Sequence, residues 1–119
     1  MRKGMLTIWT LVAAIMFALI IPMTASAHSP SSVTLAYDGA AQSLKVTIVH
    51  TTSSPDSHYI KTVEIKLNDV VIETSEYQSQ PGPSEFSYTY KVSAKTGDTL
   101  KVKAKCSYFG SKTETLIVP

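Results

Sequence analysis

The chain has 119 residues, enough for one domain. Eleven basic residues against nine acidic ones give a formal charge of +2, and that excess belongs to Arg2 and Lys3 near the start. Residues 28–119 balance nine lysines with nine acidic side chains, so no basic surplus is available to hold nucleic acid, and that class of partner is excluded.

The first element is a leader. Arg2 and Lys3 precede an apolar run from Leu6 to Ile21 that only Thr7 and Thr10 interrupt, and Ala25-Ser26-Ala27 supplies small residues of the A-x-A type. This order predicts a secretory signal peptide over residues 1–27, cleaved after Ala27, and an exported protein in the periplasm or outside the cell. The competing reading is an uncleaved anchor, which would tether the domain to the membrane. No cysteine follows the apolar run, so lipid attachment is not supported.

Residues 28–119 read as strands rich in Val, Ile, Thr and Tyr. The expected segments are Ser32–Tyr37, Leu44–His50, Tyr59–Leu67, Val70–Tyr77, Glu85–Val92, Thr99–Cys106 and Thr113–Val118. Turn signals separate them: Asp38-Gly39, the two-residue hairpin candidate Asn68-Asp69, the run Gln80-Pro81-Gly82-Pro83, Thr96-Gly97-Asp98 and Phe109-Gly110-Ser111. No window carries a helical period. Seven short alternating strands predict an all-β, seven-stranded immunoglobulin-like sandwich as a single domain over 28–119.

Alternation assigns faces, because side chains two apart in a strand point the same way. Leu44, Val46 and Ile48 share a core-facing row that His50 extends. Leu100, Val102 and Ala104 share another that Cys106 extends. Each row ends where a sandwich opens to its loops. Lys101, Lys103 and Lys105 fall on the opposite, solvated face, where they would discourage edge pairing. Tyr77, Tyr88, Tyr90 and Tyr108 are expected to pack in the core or across strands.

The candidate chemistry sits in four residues. His28, His50 and His58 are the only histidines, and Cys106 is the only cysteine. A single cysteine forms no disulfide within the chain, so it is a buried spectator, half of an intermolecular bridge, or a ligand. Imidazole and thiolate suit iron, copper and zinc. No nucleophile elbow organises the serines, and no glycine-rich phosphate loop is present.

Three segments carry a resemblance. His50-Thr51-Thr52-Ser53-Ser54-Pro55-Asp56-Ser57-His58-Tyr59-Ile60, with Val63-Glu64-Ile65 after it, is similar to an H-P-M-x-x-x-H-Y-I-x-W-I-E-L pattern. Ala104-Lys105-Cys106-Ser107-Tyr108-Phe109-Gly110 is similar to A-x-x-C-N-x-H-G, and His28-Ser29-Pro30 to the start E-K-H-V-P. These patterns belong to the desulfoferrodoxin and superoxide reductase iron-binding domain, which the chain resembles in all three pieces and in their order. The resemblance implies a mononuclear, non-haem iron site with His28, His50 and His58 as equatorial ligands and Cys106 as the axial thiolate. It also implies one-electron reduction of superoxide with electrons from an unidentified donor. Phe109 stands in place of the fourth imidazole, the loop between His50 and His58 is two residues longer, and no Glu-Lys pair precedes His28. The remaining set also suits zinc or copper, and two other readings stay open. One is an exported copper-binding domain that uses His28 as its first residue after cleavage. The other is a metal-free binding module in which these residues tolerate replacement by alanine.

Overall fold

The computed structural model describes residues 28–119, and the leader expectation falls on residues outside them. Seven strands follow one another: β1 (Ser32–Asp38), β2 (Ser43–Val49), β3 (Ile60–Leu67), β4 (Val70–Glu76), β5 (Glu85–Lys91), β6 (Thr99–Cys106) and β7 (Ser111–Ile117). They form two antiparallel sheets, β1-β2-β5 and β4-β3-β6-β7. The chain changes sheet between β2 and β3, between β4 and β5 and between β5 and β6, which gives the immunoglobulin-like sandwich expected from the strand pattern.

The inward rows are those that alternation assigns. Leu44, Val46 and Ile48 from β2 face Val63 and Ile65 from β3 and Leu100, Val102 and Ala104 from β6, and all eight are fully buried. The Asn68-Asp69 connection is a two-residue turn in which both residues have positive φ, 49° and 67°, as the tightest hairpins require. Tyr77 leaves β4 and stacks on Tyr88 of the other sheet, ring centroids 4.2 Å apart, while its hydroxyl meets that of Tyr90 at 2.8 Å.

Strict alternation fails at one place in β3. Val63 and Ile65 face inward, so Lys61 should as well, yet Ile60 is buried and Lys61 exposed. The pairing explains it: Ile60 lies opposite Cys106 and Thr62 opposite Lys105, which leaves Lys61 as the extra residue of a β-bulge. The bulge turns the start of β3, and the His58-Tyr59 segment before it, by one side chain relative to the rest of the strand. The lysine face also needs correction. β6 lies inside its sheet between β3 and β7, so Lys101, Lys103 and Lys105 guard no edge; they make a solvated face beside Glu64.

Candidate metal centre

Three loops and the segment before β1 meet at one end of the sandwich. His50 follows β2 directly. Its N–H donates to Ser84 O at 2.9 Å, which prolongs the β2–β5 ladder by one residue and keeps the ring on the core side. The loop to His58 is built from local bonds: Ser54 N–H reaches Thr52 Oγ1 at 3.0 Å, and Ser57 and His58 N–H both reach Ser54 O, at 3.0 and 2.8 Å. It is also pinned to the Gln80–Ser84 stretch, through Thr52 N–H to Pro83 O at 2.9 Å and Gln80 N–H to Pro55 O at 3.1 Å. Cys106 ends β6, and the turn after it is closed by Cys106 N–H to Gly110 O at 3.0 Å. Gly110 has φ of 93°, and a side chain there would collide with Ser29, so this glycine is what lets the His28-Ser29 segment lie against the turn.

The result is a compact donor group. One ring nitrogen of His50, one of His58 and the sulfur of Cys106 all lie within 4.8 Å of one another. His50 and Cys106 are each 1% exposed. Three donors held to a single ion at roughly 2.0–2.3 Å lie about 3.3–4.0 Å apart, so the trio would have to close up modestly to share one. His28 joins from the side. Its Nδ1 lies 3.4 Å from His58 Nε2, and its carbonyl oxygen lies 3.1 Å from His50 Nε2.

The surroundings favour the ligating forms. Burial, and then the neighbouring His50 and His28 rings, hold His58 below the ordinary histidine value of 6.5, which favours the neutral imidazole that binds metals. Tyr108 N–H approaches Cys106 Sγ at 3.5 Å, a weak donor to the sulfur. Tyr108 itself departs from the core or cross-strand packing expected of it. It is 55% exposed and lies flat on His58, centroids 4.3 Å apart and planes 4° from parallel. Phe109 packs edge-on against His28 at 4.4 Å, so its side chain supports a histidine and offers no donor.

Two neighbouring residues escaped the sequence reading. Gln80, 5% exposed, reaches both nitrogen and backbone of the His50 region. Lys112, at the start of β7, lines a cleft of about 580 Å³ that borders His50 and also includes Ser29, Ser31 and Thr51. Neither carries a motif. Both are placed by pairing between distant segments, and the only local hint was Gln80 heading a Pro-Gly-Pro run.

No protein-family model matches the chain, and no curated protein is similar to it. Solved structures give low-identity likenesses. Superoxide reductase (neelaredoxin) from Ignicoccus hospitalis is 14% identical with a TM-score of 0.47, covering 76% of this chain and 82% of that one. Superoxide reductase from Nanoarchaeum equitans is 18% identical with a TM-score of 0.43, covering 80% and 96%. Fibronectin(III)-like modules of Clostridium thermocellum CbhA are 21% identical with a TM-score of 0.34, covering 76% and 93%. What the centre can bind is therefore read from its own donors.

Proposed function

We propose that the protein is an exported, mononuclear iron-binding protein of superoxide reductase-like chemistry, with His50, His58 and Cys106 as ligands and His28 as a fourth. The observation that carries this reading is the buried His50–His58–Cys106 group, with every donor within 4.8 Å of the others. A buried thiol between two imidazoles is an unusual thing to keep in an exported domain, where an exposed thiol would oxidise. Bound ferrous iron would supply the one electron that, with two protons, turns superoxide into hydrogen peroxide; an external donor, small molecule or protein, would restore it.

The chain's own groups have definable parts in this. The His58 environment keeps that ring neutral. Tyr108 shields one face of it from water. The sulfur of Cys106 is a soft donor, and the Tyr108 N–H lies 3.5 Å from it. The cleft bordering His50 gives a small ligand a route, and the Lys112 ammonium on its wall attracts an anion such as superoxide.

The test is metal content. Residues 28–119, produced without air, are expected to hold close to one iron per chain, and Cys106→Ala and His50→Ala are each expected to lose it. Superoxide consumption is then assayed on the loaded protein. Copper that survives in Cys106→Ala would move the reading to a site centred on His28. A well-folded protein that holds no metal in any of these forms would sink the metal reading and leave a binding module.

A further inference from the structure

We propose that Gln80 is a positioning residue that fixes His50 as its Nδ1–H tautomer and so reserves Nε2 as the metal-binding nitrogen. This rests on the metal reading of the site and assigns a residue outside the donor set.

Three backbone groups decide the orientation of the Gln80 amide. Its nitrogen donates to the carbonyl oxygens of His50 at 2.9 Å and Gly82 at 2.8 Å. Its oxygen accepts the N–H of Ile60 at 3.2 Å. Turning the amide over would set an NH₂ against an N–H and a carbonyl oxygen against two others, three like-against-like contacts in a buried place. The orientation is therefore fixed by backbone that belongs to the β2 end, the β3 start and the turn before β5.

With the amide fixed, its oxygen is also what faces His50 Nδ1, at 2.8 Å. An oxygen that only accepts requires a proton on that nitrogen. In the neutral ring the lone pair is then on Nε2. That nitrogen points at the carbonyl oxygen of His28, 3.1 Å away, and two acceptors facing each other make no hydrogen bond. In the neutral Nδ1–H ring, Nε2 of this nearly inaccessible histidine thus keeps a lone pair that the His28 carbonyl oxygen facing it cannot satisfy. A cation satisfies it. Ligating histidines generally have their second nitrogen held by an acceptor in this way, and loss of the acceptor typically weakens metal binding by about 10–100-fold.

The experiment has two arms, both on protein expressed from its full sequence. In the first, metal-free protein labelled with ¹⁵N at histidine is examined by long-range ¹H–¹⁵N correlation at about pH 8.5, above the ordinary histidine value of about 6.5. The His50 signals, identified by their loss in His50→Gln, are expected to show Nδ1 protonated and Nε2 bare. In the second, ferrous iron affinity is measured without air. Gln80→Leu is expected to lose about 10–100-fold, and its metal-free His50 spectrum to lose the single Nδ1–H form. An Nε2–H spectrum, or a Gln80→Leu protein that binds iron as tightly as the parent, overturns the Gln80 assignment. Should Gln80→Leu fail to fold, the spectrum of the parent decides. A parent that takes up no ferrous iron overturns the underlying metal reading, and it does so separately, because the tautomer is recorded without metal.

Discussion

Tyr37 shows how much a single hydroxyl can hold in this sandwich. Its Oη donates to Val92 O at 2.7 Å and accepts Ala94 N–H at 3.1 Å, tying β1 to the chain leaving β5. Tyr37→Phe leaves the Ala94 N–H without that partner and should cost about 1 kcal/mol, read as a lower urea midpoint at unchanged slope. The tyrosines between the sheets act through protons. Burial, and then the Tyr77 beside it, push Tyr88 up to about 12, and burial with the Tyr77 hydroxyl raises Tyr90 as well. Both folded values lie above the unfolded value of about 10, so this contribution is fully present below about pH 10 and is lost as the pH climbs through the folded values. The urea midpoint should therefore fall between about pH 10 and 12, and Tyr88→Phe should flatten that fall. At this scale the sequence was most readable where one row decides burial: His50 and Cys106 lie buried at the ends of the rows that alternation assigned them. It was least readable at Gln80, Lys112 and Tyr108, whose surroundings come from segments far away along the chain.

Strands and turns decide how the four candidate ligands meet. All seven strands and their order of turns were legible, because each strand is rich in Val, Ile, Thr or Tyr and each gap carries Gly, Pro, Asn or Asp. The bulge at Lys61 was not, since it exists only in the pairing of β3 with β6. Deleting Lys61 would make the pairing regular and leave Ile60 opposite Cys106, facing the core, with His58 still beside it. The expected result is an iron content and a melting temperature close to the parent's, both read on the purified variant. Gly110 controls the opposite approach. Alanine there must adopt a positive φ and collide with Ser29, so Gly110→Ala should cost about 1 kcal/mol or more and weaken iron binding by displacing His28. If Gly110→Ala loses stability but keeps its full iron affinity, His28 is not a ligand.

The whole domain is small, and its one cysteine is free and buried, so packing alone must hold the two sheets together. A core of this kind is worth on the order of 5–10 kcal/mol net. A ligand that binds only the folded form at a hundred times its Kd adds about 2.7 kcal/mol, which for a domain of this size raises Tm by roughly 10–20 °C. Ferrous iron should produce such a rise in the parent, a chelator should reverse it, and Cys106→Ala should show neither effect in calorimetry.

The contact between Ser29 and Gly110 sets the segment before the first strand against the turn before the last one. An ion shared by His28 and Cys106 would thus buckle one margin of the sandwich to the other. Pulled from its two ends, the loaded domain could shed β7 but would keep the span from His28 to Cys106 closed until a metal–ligand bond broke, whereas the empty one would peel strand by strand. In a force-spectroscopy trace the same protein would be brittle with iron and soft without it.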